Sequence, residues 1–541
     1  MKTRCLALVC LGLYGCSAGD AEPPSDGAAP DAAAPDAPLG SPDAGPVSEA
    51  SADVVAQPDA GVASSTIAAS PTFGATVNGT SKYPSFKYGT QRIWDSPPFQ
   101  WGTLETGPCS DVATCSGGYD TGNLTMFDDY LANLKKNGVN EVWYTMARTP
   151  HFITSAPNDA TCNYADPAKG GLGQCDRPSD LAANGTGTDL TFRKWYAFFA
   201  KRNNDAAYLA THAHIRYWEP WNEPDTAAFW GDGTGKRGSY DALIRLMQDT
   251  ECLVVGAVGT GTITKTGETC AQVQASVGLT GPIDPTAIVV SPSYHAKEAS
   301  LSLYQNFLYC NNAPTSSCTS GDAGAKSMMA FNLHMKPGAE CNVDGAGTNC
   351  TAASALEPSY QAYIQAFEGI LQKTELDAFH GGAVPLYDGE ASYAPTGFAA
   401  PFTDGDMGAS WIVRFFLYGR SLGVAANQWY TWDEISGNQK VVTAWNTLYG
   451  AWVGATPATP LCTNAGTVYT CSFTKGSASY EVMWDVAQSC ENGVCTTSDQ
   501  SVGGSWTTYR DLTGTAASCV SDCTISGGKI PVGIKPVLLA E

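Results

Sequence analysis

The sequence predicts an α/β fold: a (β/α)8 barrel with a small β-sandwich domain appended at its C-terminal end. From residue 66 to about residue 456, apolar runs of strand character alternate with amphipathic helical stretches, as in parallel α/β folds. No glycine-rich phosphate loop follows the first strand, which disfavours a doubly wound nucleotide-binding sheet. In residues 457–541 only short strands separated by Gly, Ser and Asn remain, which is typical of a sandwich.

Seven of the eight barrel strands are predicted from these apolar runs, and the third strand is not located. The first and second strands are predicted at 88–94 and 139–147. The fourth to the eighth are predicted, in order, at 214–221, 287–291, 328–334, 383–389 and 427–432. Helical spacing of apolar residues predicts helices at 124–136, 190–202, 360–374 and 409–422.

Two segments precede the barrel. Residues 1–16 have the pattern of a signal peptide, with Lys2 and Arg4 before an apolar run that is too short to span a bilayer. The run ends in Leu-Tyr-Gly-Cys, which resembles a bacterial lipobox and implies lipidation of Cys16; the alternative is an ordinary signal peptide cut elsewhere. Residues 17–65 are rich in Ala, Pro and Asp, which predicts a disordered linker.

Net charge and cysteine spacing restrict the function class. A formal charge of -22 disfavours nucleic acid and anionic lipid as partners, and suits a neutral ligand such as a polysaccharide. The cysteines after residue 16 form local couples that predict disulfides in an oxidising compartment. They are Cys109/Cys115, Cys162/Cys175, Cys252/Cys270, Cys310/Cys318, Cys341/Cys350, Cys462/Cys471, Cys490/Cys495 and Cys519/Cys523. No zinc-ligand spacing occurs, so no metal or other cofactor is predicted.

The stretch YWEPWNEPD contains the strongest candidate for chemistry. Glu223 follows the predicted fourth strand, and the C-terminal ends of barrel strands face the active site. Asn222 can bind a sugar hydroxyl, and the neighbouring tryptophan can raise the pKa of a carboxyl group by excluding water. Glu223 is therefore predicted to lie in the active site with a raised pKa.

The same stretch resembles the acid/base motif of clan A glycoside hydrolases. Together with RIWDSPPFQWGTLE, WYTWDE and NTLYGAWVGA, it is most similar to family 39 and to related secreted bacterial proteins. The resemblance covers roughly residue 88 to the C-terminus and implies a (β/α)8 barrel that cleaves glycosidic bonds with retention of configuration. It further implies that Asn222 holds the sugar 2-hydroxyl and that a glutamate after the seventh strand is the nucleophile.

Glu390 occupies that position, in DGEASY after the seventh predicted strand. Asp388 is its nearest rival, because strict alternation along a strand places both on one face. Between Glu223 and Glu390 the chain is longer than three barrel units need, which predicts disulfide-closed insertions.

Further residues are predicted to bind substrate or to support the two glutamates. His334 ends the sixth predicted strand, where it is expected to contact the substrate or Glu390; a buried structural role is equally expected. Arg92 and Arg148 lie near strand ends, and one of them is predicted to pair with the nucleophile. Tryptophans are candidate platforms for sugar rings, although most tryptophans are core residues. The candidates are Trp94, Trp101, Trp429 and Trp432.

These residues predict a secreted retaining glycosidase that acts on a poly- or oligosaccharide through a covalent glycosyl-enzyme intermediate. Its activity is expected to fall at alkaline pH as Glu223 loses the proton that a partly apolar wall and ionised Glu390 help it to keep. The alternative is an inactive carbohydrate-binding lipoprotein on the same fold, which predicts that one of the two carboxylates has been lost.

Overall fold

The computed structural model of the protein describes most of the chain after residue 65. The described residues are 66–77, 79, 85–94, 96–161, 171–295, 298–309, 324–336, 356–371, 377, 383–393, 404–491, 494–503, 505–512, 519 and 523–541. The predictions for the signal peptide, Cys16 and the linker lie outside these residues.

A closed barrel of parallel strands forms the first part of the structure. Its strands are β1 (Phe73–Thr76), β2 (Thr90–Ile93), β3 (Glu141–Thr145), β4 (His214–Glu219), β5 (Ile288–Val289), β6 (Tyr294–His295), β7 (Phe331–His334), β8 (Leu386–Ala391) and β9 (Val424–Tyr430). The sheet runs β5-β4-β3-β2-β1-β9-β8-β7-β6. A parallel bridge between Val290 and Ala330 joins its two ends. Strands β5 and β6 are therefore two pieces of one barrel strand, and the predicted (β/α)8 fold is confirmed.

The prediction that the third strand was the hidden one is wrong, because the hidden strand is the first. The four residues of β1 pair with both β2 and β9. Gly74 interrupts the apolar pattern of β1, and a Cβ atom there would lie 2.1 Å from the side chain of Gln428. This close approach requires a glycine, which breaks the apolar pattern. With only four residues, the strand is also too short to stand out in the sequence.

Helices cover the outside of the barrel, and large side chains fill its inside. Inside, Trp143, Tyr217 and Tyr387 pack with small residues in one buried cluster. The helices in the described part of the chain are Trp101–Leu104, Thr121–Lys136, Leu190–Asn203, Ala206–Thr211, Tyr240–Val254, Cys270–Ser276, Glu298–Tyr309, Leu356–Leu371, Gly405–Ser421, Trp432–Ser436 and Gln439–Trp452. None of the helices within these described stretches combines the length and the apolar character needed to cross a membrane.

The C-terminal part is antiparallel, as predicted. Strands β10 (Thr456–Ala465), β11 (Val468–Lys475), β12 (Ala478–Asp485), β16 (Thr508–Asp511), β17 (Cys523–Thr524) and β19 (Val537–Ala540) form one sheet in the order β10-β11-β12-β19-β16-β17. The remaining strands, β13 (Cys490–Glu491) with β14 (Val494–Cys495) and β15 (Thr497–Ser501) with β18 (Lys529–Gly533), form two-stranded sheets. Ile530 and Val532 of β18 pack in one buried cluster with Met483 and Leu539 of the larger sheet.

Five of the predicted cysteine couples are disulfides in the described residues. They are Cys109–Cys115, Cys252–Cys270, Cys462–Cys471, Cys490–Cys495 and Cys519–Cys523. Cys175 is also disulfide-bonded, while its predicted partner Cys162 and the couples Cys310/Cys318 and Cys341/Cys350 lie outside the described residues. This set of local bridges is typical of a protein that folds in an oxidising compartment.

Candidate active site

Glu223 lies directly after β4 in a backbone conformation that is rare for its residue type. Pro220 and Pro224 flank the segment, and a proline cannot donate to a strand ladder, so β4 ends at Glu219. Glu223 itself has φ = 42°, in the left-handed region that favours glycine. Its backbone N–H donates to Ser293 Oγ at 3.2 Å. Strain of this kind persists only where the surroundings hold it, and it fixes the direction of the Glu223 carboxyl group.

Glu390 lies in an irregular stretch of β8. The register with β9 shifts between Asp388 and Ala391, and such irregularities turn side chains near active sites. At Gly389 a Cβ atom would come within 2.6 Å of the Asn332 side chain, and the Gly389 N–H donates to Asn332 Oδ1 at 2.7 Å. Glycine at this position therefore lets β8 approach β7 closely and carries Glu390 into the barrel mouth.

The two carboxylates lie close together. An oxygen of Glu223, an oxygen of Glu390 and a ring nitrogen of His334 all lie within 4.8 Å of one another. His334 Nδ1 is 2.7 Å from Glu223 Oε1 and 3.6 Å from Glu390 Oε2. Its other nitrogen, Nε2, is buried and has no hydrogen-bond partner among the described residues. His334 therefore bridges the two glutamates.

Two basic side chains hold Glu390. Arg92 donates from Nη1 to Oε1 at 2.8 Å, and Lys336 donates from Nζ to Oε2 at 3.0 Å. Burial alone would raise the pKa of Glu390, but His334, Lys336 and Arg92 hold this pKa below its ordinary value. Glu390 is therefore a carboxylate at neutral pH. Of the two arginines predicted to pair with the nucleophile, Arg92 is the one that bonds to Glu390.

Glu219 anchors Arg92 from behind. Its Oε2 accepts from Arg92 Nη2 at 3.0 Å, from Trp143 Nε1 at 3.0 Å and from Thr145 Oγ1 at 2.6 Å. Its Oε1 accepts from Asn332 Nδ2 at 3.2 Å. These hydrogen bonds satisfy the buried carboxyl group and fix its position. The sequence reasoning passed over Glu219, although alternation along HIRYWE places it on the inner face of β4.

Arg92 also orients Asn222. The guanidinium donates from Nη2 to Asn222 Oδ1 at 2.7 Å, and because a guanidinium can only donate, the amide oxygen must face it. The Asn222 Nδ2 group is buried without a hydrogen-bond partner among the described residues. An orphaned amide donor beside two carboxylates is available to a ligand hydroxyl.

Histidines, rather than an apolar wall, surround the Glu223 carboxyl group. His334 Nδ1 and His295 Nε2 lie 2.7 and 3.0 Å from Oε1. Burial alone would raise the pKa of Glu223, but the hydrogen bonds and charges of His295 and His334 lower this pKa well below its ordinary value. The expectation that the environment keeps the proton on Glu223 itself is therefore wrong.

Asp388 differs from Glu390 in its charge state. Burial raises the pKa of Asp388 well above its ordinary value, and the nearby Glu390 adds to this effect against the Met335 N–H and Lys336, which lower it. Asp388 is fully buried and accepts a hydrogen bond from Met335 N at 3.1 Å. A protonated carboxyl group held in this way is a poor nucleophile, which favours Glu390 over its rival.

The contacts described for the remaining predicted residues are with other parts of the barrel. Trp101 and Trp429 are fully buried, and their Nε1 atoms donate to Glu105 and Glu434 at 2.6 and 3.0 Å. Trp94 packs edge-on against Phe229, and Trp432 stacks on Phe86. Arg148 is buried after β3, with φ = 67°. None of these contacts joins a tryptophan to either glutamate.

Tyr430 is the aromatic residue that the sequence reasoning missed. Trp429 packs on Phe415 and Phe416 of the covering helix, so alternation turns Tyr430 to the opposite side of β9. Lys336 Nζ, which binds Glu390, lies 4.9 Å from the centre of the Tyr430 ring. The contact between Trp429 and the helix decides which of the two aromatic residues faces the carboxylates.

Glu223, His334 and Glu390 also have the spacing of a metal-ligand set. Arg92 and Lys336 already bind both oxygens of Glu390. A divalent cation would have to displace these two positive charges, so the arrangement fits proton transfer and nucleophilic attack by a carboxylate better than metal binding.

Comparisons of the whole chain give likeness in fold only. No family model matches it, and no curated protein sequence matches it. Among solved structures, it is similar to a GH30 endoxylanase from Clostridium papyrosolvens C71 (11% identity, TM-score 0.46, covering 89% of this chain and 97% of that one). It is also similar to CelM2, a bifunctional glucanase-xylanase from a metagenome library (12% identity, TM-score 0.48, covering 88% of this chain and 96% of that one). A third similar structure is AbfB, a family 51 α-L-arabinofuranosidase from Bifidobacterium longum (9% identity, TM-score 0.43, covering 88% of this chain and 97% of that one). The specific resemblance to family 39 is not confirmed by these matches.

Proposed function

We propose that this chain is a retaining glycoside hydrolase in which Glu390 is the nucleophile and Glu223 the acid/base. One observation carries the proposal: two buried glutamates at the ends of β4 and β8 have oxygens within 4.8 Å of each other. Retaining glycosidases hold their carboxyl groups about 5 Å apart, whereas inverting enzymes need about 6.5 Å or more to admit a water molecule. The spacing therefore favours direct attack by a carboxylate.

The surroundings of each glutamate suit the role proposed for it. Glu390, ionised and aimed by Arg92 and Lys336, attacks the anomeric carbon and forms a glycosyl ester as the glycosidic C–O bond breaks. Glu223 passes a proton to the departing oxygen. It then takes a proton from water, which attacks the ester and regenerates Glu390. The Asn222 amide is placed to bind a sugar hydroxyl, and the acidic protein favours a neutral poly- or oligosaccharide.

The stereochemical course tests this proposal. A panel of aryl glycosides and polysaccharides identifies a substrate, and proton NMR then follows the anomeric signal during the first minutes of its hydrolysis. We expect the first product to have the anomeric configuration of the substrate, with the other anomer appearing only at the rate of spontaneous mutarotation. Initial formation of the opposite anomer would refute the role of Glu390 as a nucleophile.

We also propose that the protein is exported and anchored by a lipid on Cys16, as its N-terminal sequence suggests. The disulfides agree with export. Cys16→Ser should move the protein from the detergent phase to the aqueous phase in a Triton X-114 partition, because a diacylated cysteine supplies the apolar surface. A Ser17→Ala variant, which keeps the cysteine, is the control. Equal partitioning of Cys16→Ser and the wild type would contradict the anchor.

A further inference from the structure

His295, at the end of β6, lies between two acidic side chains. Its Nε2 is 3.0 Å from Glu223 Oε1, and its Nδ1 is 2.8 Å from Asp225 Oδ2. An ionised carboxylate only accepts hydrogen bonds, so a ring protonated on both nitrogens satisfies both acidic partners. The geometry therefore suits an imidazolium cation held between Asp225 and Glu223.

This arrangement supplies the proton that Glu223 itself lacks. A carboxylate cannot act as a general acid, and His295 and His334 lower the pKa of Glu223, so its own proton is readily lost. His295 has the opposite tendency: burial lowers its pKa, but hydrogen bonds to Asp225 and Glu223 raise this pKa to about 10. At neutral pH the mobile proton of the pair therefore resides on the imidazole ring, one hydrogen bond away from Glu223.

We propose that Asp225 and His295 form a proton relay behind Glu223, so that the acid/base carboxyl group draws its proton from the imidazole ring and returns it there. The inference rests on the proposed glycosidase function. As the glycosidic bond breaks, the His295 Nε2–H bond breaks and an O–H bond forms on Glu223, which passes this proton to the departing oxygen. His295 is then neutral. In the second step Glu223 takes a proton from the attacking water and His295 becomes an imidazolium again. His295 and Asp225 act through Glu223 and are positioning residues.

The relay reaches the Glu223 carboxyl group at Oε1, which both histidines approach. The proton that leaves His295 Nε2 is therefore bound by Oε1 and passes from this oxygen to the departing group. Asp225 keeps Nδ1 protonated and the ring directed at Glu223, as second partners of catalytic and metal-bound histidines do.

Other charged groups act on the same pair from every side, and their positions set its titration. On the Glu223 side, His334 of β7 acts on Glu223 directly, and Glu390 of β8 interacts with it electrostatically. Arg92 of β2 and Lys336, which follows β7, act on Glu390. On the Asp225 side the neighbours are Tyr240, Tyr294 and Arg237, whose guanidinium lies 4.7 Å from the centre of the Tyr240 ring. None of these groups forms a hydrogen bond to His295 in the described structure, so the His295→Gln change isolates the relay.

The pH dependence of kcat/KM for a substrate with a poor leaving group tests the relay. In the wild type the alkaline limb reports loss of the last proton from the Glu223–His295 pair. In His295→Gln the proton must reside on Glu223 alone, so we expect the alkaline midpoint to fall by about two pH units or more. At pH 9, kcat/KM should then be lower than in the wild type by at least about tenfold, since each unit above the midpoint costs about tenfold. At pH 5 the two should agree within about threefold.

Three comparisons separate a relay from a merely structural role. Asp225→Asn should move the alkaline limb in the same direction by a smaller amount, because it removes a charge but keeps the ring. With an activated aryl glycoside, whose departure needs no proton, the kcat/KM profiles of the wild type and His295→Gln should coincide. His214→Gln is the matched control, because His214 Nε2 binds Asp284 Oδ2 at 2.7 Å at the other end of β4. Its profile should overlay that of the wild type.

Two results would overturn the relay. One is an unchanged alkaline limb in His295→Gln, and the other is an equal loss of rate at every pH and with every leaving group. Either result leaves the proposed glycosidase function standing, provided that Glu223→Ala still loses activity on the poor leaving group. Full activity of Glu223→Ala on that substrate would instead remove the function on which the relay depends.

Discussion

Glu390→Ala should lose turnover of an unactivated glycan by on the order of 10⁴-fold or more, because no covalent ester can form without the nucleophile. Glu223→Ala should lose about 10² to 10⁴-fold on the same substrate, the usual contribution of general acid–base catalysis. The two variants should differ on an activated aryl glycoside. There Glu223→Ala still forms the glycosyl ester, so the intermediate should accumulate and added azide should speed its release as a glycosyl azide of retained configuration.

In Glu390→Ala, azide can only attack the substrate directly and give the inverted glycosyl azide. Product configuration by NMR and intact-protein mass spectrometry of the trapped ester distinguish these outcomes. Asp388→Asn is the matched control, since Asp388 lies on the same strand and its raised pKa already keeps it neutral. We expect this variant to keep activity within about tenfold of the wild type. Wild-type activity of Glu390→Ala, or loss of the trapped ester when Asp388→Asn is added to Glu223→Ala, would move the nucleophile to Asp388.

Arg92→Met should combine a large loss of activity with a large loss of stability. Arg92 is fully buried and pairs with Glu219 and Glu390, so its removal leaves two buried carboxylates without their shared cation. Breaking a buried ion pair by removing one partner costs about 3–5 kcal/mol in the free energy of unfolding. The pKa of Glu390 should rise, because a neighbouring cation that lowers it is gone. The acid limb of kcat/KM should therefore move to higher pH.

Arg414→Met separates the effect on chemistry from the effect on folding. Arg414 and Glu357 form another fully buried pair, with Arg414 Nε donating to Glu357 Oε1 at 2.7 Å, and neither touches Glu390. We expect urea unfolding to show comparable destabilisation, while kcat/KM per folded molecule and its acid limb stay at wild-type values. An Arg92→Met enzyme with normal kcat/KM and an unmoved acid limb would show that Arg92 serves folding alone.

The sequence by itself determined the fold class, and it pointed to the two glutamates that the barrel brings close together. Strand and helix periods repeat over nearly 400 residues, and that alternation has few solutions besides a barrel. Glu223 and Glu390 each follow a recognisable apolar strand, and the C-terminal ends of barrel strands share one face. Local spacing was also enough for the five disulfides in the described residues, because each of them closes a short loop.

Other features depended on tertiary packing. The first strand, Phe73–Thr76, was missed because it contains Gly74. A glycine is needed there because the Gln428 side chain, more than 350 residues away in the sequence, leaves no room for a Cβ atom. The aromatic residue that contacts Lys336 is Tyr430 and not Trp429, because Trp429 packs against the helix Gly405–Ser421 on the outer side of the strand.

Only the tertiary structure decided the charge state of the site. Arg92 and Glu390 are 298 residues apart, and His334 and Glu223 are 111 apart. A sequence motif suggests which carboxyl groups are present, but a pKa depends on what lies within a few ångströms of each group after folding. The apolar neighbours of Glu223 in the chain predicted a retained proton. The histidines that the barrel brings to it instead hold Glu223 as a carboxylate, because a cation donating a hydrogen bond outweighs the effect of burial.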